Sequence, residues 1–187
     1  MTDTPATPIR DGRVAIRPAG SADKCRIRAW RNKPYVRRNM YTDHKIKKAE
    51  HKNWLDAALC DPTRELWVIQ CDGEDIGVVL ISEIDPAEKS ASWAFYIGEE
   101  SLTGRGIGTR VERLVLHRVF SEMKYTILRC EVLEINYPVI GLHQKFGFQE
   151  TGRIEARVER DGKMIAAVCL ELERRNLPKQ PPLKTTD

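Results

Sequence analysis

An apolar stretch at residues 93–97 is followed by three glycines at alternate positions, Gly104, Gly106 and Gly108. Val111, Leu114, Val115 and Val119 then recur at helical spacing. A helix that opens on glycines presents unpaired main-chain N–H groups and a partial positive charge, with no Cβ to hold an anion away. The arrangement predicts a phosphate-binding turn at the mouth of a helix over residues 106–123. What precedes the turn limits the fold further. Residues 66–70 and 76–84 read as strands joined by Cys71-Asp72-Gly73-Glu74, an Asp-Gly hairpin signal, and residues 90–97 read as a third strand. A meander leading into the glycines is not the parallel βαβ unit of a dinucleotide fold. Gly108-Thr109-Arg110 also lacks the Gly-Lys-Ser/Thr of a P-loop.

The remaining elements follow from the same signals. A short strand at 13–17 stops at Pro18, Ser21-Ala22-Asp23 starts a helix toward Trp30 that Pro34 ends, and a second helix runs from about 48 to 60. A strand at 126–133 leads to a helix at 137–146 that Gly147 terminates, and Asp161-Gly162 turns a final hairpin, 153–160 with 163–173. The fold class is therefore α/β, with a mixed, mostly antiparallel sheet flanked by helices. The chain of 187 residues reads as a single domain at 10–175 between polar, Pro-rich tails at 1–9 and 176–187, whose composition predicts disorder. There is no bilayer-length apolar run and nothing like a signal peptide, so the cytoplasm is the expected address. The five cysteines form no C-x-x-C pair and read as reduced packing residues. No ligand spacing suggests a metal site.

Charge is unevenly placed. Between Lys24 and Lys52 lie 11 basic and two acidic residues, whereas the rest of the chain is net acidic. Such an island is either a solvated helical face or the seat of an anionic partner: a nucleotide diphosphate, a nucleic acid or an acidic surface.

Taken together, the order of elements resembles the GNAT superfamily of acetyl-CoA-dependent N-acetyltransferases. The family's phosphate motif, Gln/Arg-x-x-Gly-x-Gly/Ala, is matched by Thr103-Gly104-Arg105-Gly106-Ile107-Gly108. The first position departs from the pattern, and Arg105 is the candidate to supply the missing cation. A second motif, Asn136-x-x-Val139-Ile140-x-Leu142-His143-x-Lys145-Phe146-Gly147-Phe148, resembles the family's Asn-x-x-Ala-x-x-Leu-Tyr-x-x-x-Gly-Phe. The resemblance covers about residues 12–174, and implies a sheet that splays open and acetyl-CoA as co-substrate. It puts the pyrophosphate on the N–H groups of Arg105, Gly106, Ile107, Gly108 and Thr109, and the pantetheine amides against a strand edge at Tyr96, Ile97 and Gly98. Asn136 is expected to fix the pantetheine or the strand end rather than merely cap a helix.

The implied chemistry is attack of a neutral amine on the thioester. Deprotonating an amine of pKa about 10.4 at pH 7 costs about 4.6 kcal/mol, against about 1.4 kcal/mol for one near 8, so a general base matters most for lysine-like acceptors. Glu131, on the strand bordering the splay, is the favoured base, acting through water, with Glu134 as the alternative. His143 stands where the family has the tyrosine that protonates the leaving thiolate. An imidazole in that role loses activity as it deprotonates.

On the acceptor side, Trp30-Arg31-Asn32-Lys33-Pro34, Val36-Arg37 and Met40 precede Ile46 and Glu50-His51-x-x-Trp54. This pattern resembles the amino-sugar N-acetyltransferases of pseudaminic acid biosynthesis, which implies a UDP-linked 4-amino sugar as substrate. The basic island would repel a polyamine. Arg31, Arg37 or Arg38 could grip a diphosphate, and a uracil could stack on Trp30, Tyr41 or Trp54. Asn32, His51 and Trp54 complete the expected acceptor site. The partner is then a small molecule, not a membrane or a nucleic acid, and the enzyme is a monomer or homodimer. Two other readings stay open. Trp-Arg-Asn also resembles ribosomal-protein N-terminal acetyltransferases, and a non-catalytic acetyl-CoA-binding module would carry the same glycines.

Overall fold

Alternation of apolar side chains in the central strands decides the layering. The computed structural model describes residues 7–179 and 181–184, and its centre is an eight-stranded sheet. The strands are β1 (Ile9–Asp11), β2 (Val14–Pro18), β3 (Glu65–Cys71), β4 (Glu74–Asp85), β5 (Ser90–Ile97), β6 (Ile127–Leu133), β7 (Gln149–Arg160) and β8 (Lys163–Glu173). The helices are α1 (Lys24–Arg31), α2 (Pro34–Arg37), α3 (Lys48–Cys60), α4 (Ile107–Leu116) and α5 (Tyr137–Lys145). Strand β3 is buried at most positions because both of its faces are covered. Trp67 and Ile69 enter the large core with Val111 and Leu114 of α4. Leu66 and Val68 join Ile27, Trp30 and Leu55 of α1 and α3 on the other face.

The sheet order is β1-β2-β3-β4-β5-β6-β8-β7, antiparallel at every step except between β5 and β6. It is the mixed, mostly antiparallel sheet that the element order predicts. At the β3–β4 hairpin Asp72 and Gly73 adopt φ of 53° and 86°, the positive values that a tight turn of this hand demands.

The single parallel contact decides where a site can form. It consists of Ser90 with Ile127, Ala91 with Leu128 and Ser92 with Arg129, and it stops there. Beyond it β5 stays zipped to β4 as far as Ile97, and β6 to β8 as far as Leu133. Each strand follows its outer neighbour, so a wedge opens between the two.

Three features depart from the expectations. Ile9, assigned to a tail by composition, is a buried residue of β1 paired with Ile16. At the other end the Gly12 N–H donates to Lys184 O at 2.7 Å, Arg113 donates to the carbonyls of Pro181 and Pro182, and Leu183 packs on the core. The described part of the expected C-terminal tail is thus laid against β1 and α4, while residues 1–6, 180 and 185–187 lie outside the described residues. The helix expected to reach residue 123 is α-helical only to Leu116. Its continuation, His117–Glu122, widens into π turns that keep Val119 and Phe120 buried. Pro34 ends α1 as expected, and it also opens α2, where its missing N–H is harmless. Among the described residues no helix is long and apolar enough to cross a membrane.

Candidate active site

The glycine turn leaves its backbone open. Gly104 and Gly106 have φ of 78° and 74°, and a Cβ at either would meet nothing within 4 Å, so the ground before α4 is open. Among the described residues no backbone acceptor is taken by the amides of residues 104–109, and no side chain caps α4. Those amides and the helix's positive end suit a pyrophosphate. Arg105 and Thr109 are exposed beside them, whereas Ile107 is buried and offers the ligand only its amide. Gly108 answers a different need. A Cβ there would come within 3.1 Å of Leu142, so its smallness lets α5 close on α4.

At the expected strand edge, two groups are already in use. The Gly98 N–H donates to Ile76 O at 2.5 Å, and Ile97 O accepts from Tyr35 Oη at 3.3 Å. The unpaired edge of β5 begins instead at Trp93, one residue past the last β5–β6 pair, and includes Tyr96. Gly98 itself is glycine for packing. A Cβ would lie 2.2 Å from the indole of Trp30.

A cavity of about 790 Å³ fills the wedge and reaches from α1–α3 to β6 and α5. Arg31, His51, Trp54, Tyr96, Ile97, Glu131, Asn136 and His143 line it. Arg31 donates through Nη2 to Thr42 O, but its buried Nη1 has no hydrogen-bond partner among the described residues. Burial, with Arg37 and Arg160 nearby, holds this guanidinium below its usual pKa. His51 is buried with an unpartnered Nε2, and burial together with Arg28 lowers its pKa, favouring the neutral ring. Asn136 sits at the N-cap of α5, but its side chain makes no cap bond and is left to the cavity.

Other expected acceptor residues play supporting parts. Trp30 is buried in the smaller core and donates to Glu99 at 2.9 Å, so it is not a stacking surface for a base. Asn32 clamps the loop after α2 by exchanging two hydrogen bonds with the backbone of Ile46. Arg37 stands behind Arg31 rather than on the cavity wall, with its own Nε unpartnered among the described residues. Glu134 accepts from the Ala166 amide and from Arg153, outside the cavity, whereas Glu131 lines it on β6, and Glu50 and Glu100 line it elsewhere.

Glu131 is held from across the opening. Tyr41 Oη donates to its Oε2 at 2.5 Å, and Arg157 stands 3.9 Å from the same oxygen and 4.1 Å above the Tyr41 ring. Arg157 reaches this position because β7 shifts register between Ile154 and Val158, a bulge that re-aims its side chains. Burial and the bond to Glu131 push the Tyr41 hydroxyl well above the usual range.

His143 is enclosed. It is buried among Trp93, Phe95 and Phe148, and its Nδ1 lies 2.9 Å from Oε1 of Glu112 on α4. Glu112 is wholly buried and its Oε2 has no partner among the described residues. Glu112 and Arg157 escaped the sequence reading. A glutamate between Val111 and Leu114 interrupts an apolar helix face and was the available signal, but nothing local marks Arg157.

The family model for the acetyltransferase (GNAT) domain matches residues 13–149. The chain is 26% identical over 141 residues to the spermidine N(1)-acetyltransferase of Escherichia coli (strain K12), covering 75% of each protein. It is 24% identical to the SPbeta prophage-derived uncharacterized N-acetyltransferase YokL of Bacillus subtilis (strain 168), covering 74% of this chain and 78% of that one. Among solved structures, the Vibrio cholerae spermidine N-acetyltransferase in complex with CoA and spermine superposes with a TM-score of 0.80 at 16% identity, over 89% of this chain and 98% of that one. Mycobacterium smegmatis RimJ in complex with CoA-disulfide gives 0.78 at 20% identity, over 92% and 88%. None of these names carries the closeness to pseudaminic acid enzymes that the acceptor pattern suggests. The splayed sheet, the open glycine cradle and the family match agree: this chain belongs to the GNAT acetyltransferases and is an acyltransferase that uses acetyl-CoA.

Proposed function

We propose that this enzyme moves the acetyl group of acetyl-CoA to the amine of a nucleotide-linked amino sugar, a UDP 4-amino sugar, by direct attack on the thioester. The observation that carries the reading is Arg31, a residue of the cavity wall whose buried Nη1 has no hydrogen-bond partner among the described residues, with Arg37 close by. A buried cationic donor without a partner is costly unless a ligand completes it. A diphosphate supplies the matching acceptors, and Trp54, half-exposed at the cavity, offers an aromatic face to a base. A polycation such as spermidine, the substrate in the name of the Escherichia coli relative, would meet that arginine pair with like charge, and Glu50, Glu100 and Glu131 on the same cavity with opposite charge.

In this reading the amides of residues 105–109 hold the pyrophosphate and the β5 edge from Trp93 orients the pantetheine arm. Glu131 removes the ammonium proton of the acceptor through water, and His143 gives a proton to the departing sulfur. The test is thiol release from acetyl-CoA with a panel of UDP-amino sugars, N-terminal peptides of ribosomal proteins, and spermidine. Turnover of a UDP 4-amino sugar at least 100-fold above the other acceptors is the expected result. Preference for spermidine or for a peptide overturns the sugar assignment and leaves acyl transfer intact. No thiol release with any acceptor would favour a binding module.

A further inference from the structure

At the cavity wall a buried pair of polar side chains face each other among apolar neighbours. Glu112 and His143, on α4 and α5, have side chains 0% and 3% exposed and lie 2.9 Å apart. Trp93 and Phe95 of β5 and Phe148 after α5 box the imidazole. Cys130 of β6 is a titratable neighbour of Glu112, and burial pushes its thiol well up, so it stays neutral. A buried pair like this is poor value for stability, because apolar residues of equal volume commonly do as well or better. Departures from the local pattern of this kind concentrate at working sites.

We propose that Glu112 is a positioning residue for acetyl transfer: it ties down Nδ1 of His143, so that Nε2 is the nitrogen that carries a proton toward the cavity. The proposal rests on the reading of His143 as the acid. The ring lines the cavity, and with Nδ1 taken by Glu112, Nε2 is its one remaining polar atom. The pair is best counted as a unit. With two protons it is neutral, either as carboxylate and imidazolium or as carboxylic acid and imidazole, and in both arrangements Nε2 bears a hydrogen. With one proton it is a buried anion, which the enclosure disfavours. Burial raises the Glu112 carboxyl, and the His143 bond opposes that rise. The unpartnered Oε2 is where the shared proton can rest.

The step then balances. The neutral amine nitrogen forms a bond to the thioester carbon, the carbon–sulfur bond breaks, and the sulfur's electron pair takes the proton from Nε2. Glu131 already holds the proton taken from the ammonium, so the surplus proton on nitrogen passes to the bridging water and on to solvent. The pair, left with one proton, regains its second from solvent after the thiol departs.

Glu112→Gln keeps the size and a hydrogen bond but removes the second proton site. We expect kcat to fall at least 10-fold, KM for acetyl-CoA to stay within twofold, and the alkaline limb of kcat to move to lower pH. In a His143→Gln background the same substitution should cost nothing more. An equal loss in both backgrounds, or an unmoved alkaline limb, overturns the positioning role. Full turnover by His143→Gln alone would instead overturn the acid reading beneath it. ¹⁵N NMR of the wild-type imidazole decides the matter even if the glutamine variant fails to fold: a proton on Nε2 at pH 7 is expected, and a bare Nε2 sinks the proposal.

Discussion

Tyr41 and Glu131, 90 residues apart in the chain, meet at 2.5 Å through a hydroxyl donating to a carboxylate. The contact joins the loop after α2 to β6, across the open end of the wedge. It gives the candidate base a fixed direction, with Arg157 holding both partners.

If Glu131 takes the acceptor's proton, its importance depends on how tightly that proton is held. Glu131→Gln should lower kcat/KM about 100-fold for an amine of pKa near 10 and only a few-fold for one near 8. Parallel kinetics on two acceptors of different basicity check this; equal losses would remove Glu131 from proton transfer.

Arg31→Ala removes the unpartnered guanidinium edge. Charge-assisted hydrogen bonds to a phosphate are worth about 1.5–3 kcal/mol, so KM for a nucleotide-linked acceptor should rise roughly 10- to 100-fold. Calorimetry with acetyl-CoA should show unchanged affinity. A neutral acceptor that suffers the same loss would count against diphosphate recognition.

Gly106→Ala places a Cβ at φ 74°, in the left-handed region, at the first residue before α4. No neighbour obstructs it, so the cost is backbone strain of about 1–2 kcal/mol plus intrusion on the anion's path. The Kd for acetyl-CoA should weaken about 10-fold or more, with a small drop in Tm. Unaltered coenzyme affinity would mean that the pyrophosphate lies elsewhere.

Away from the site, Arg17 bridges Asp23 at 2.7 Å and Asp75 at 2.6 Å. The Arg17 bond holds the Asp23 carboxyl below its usual value, against the opposing effect of burial. A folded-state pKa below the unfolded one means stability present above about pH 4 and lost as pH falls through the lowered value. Asp23→Asn should therefore reduce Tm at pH 7, and the gap from wild type should shrink below pH 4. Thermal melts at both pH values test this, and a constant gap would refute it.

Strand and helix positions were legible because their signals are local. Alternation in residues 66–70, the Asp72-Gly73 turn, and the glycines before Val111 each act within a few residues. The family motifs, too, are contiguous runs. The departures have long-range causes. Ile9 joins the sheet because β2 offers it an edge, and the segment ending at Lys184 is held by Gly12 and Arg113, over 170 and about 70 residues away respectively.

The same division runs through the site. Alternate glycines at a helix mouth mark backbone left open to a ligand, since missing Cβ atoms need no distant partner to be read from the sequence. The fate of Trp30, by contrast, was settled by Gly98 lying beneath its ring, and that of Glu112 by α5 bringing His143 to it. Side-chain ionisation and reach depend on which distant surfaces exclude water, and burial of that kind exists only once the layers have packed.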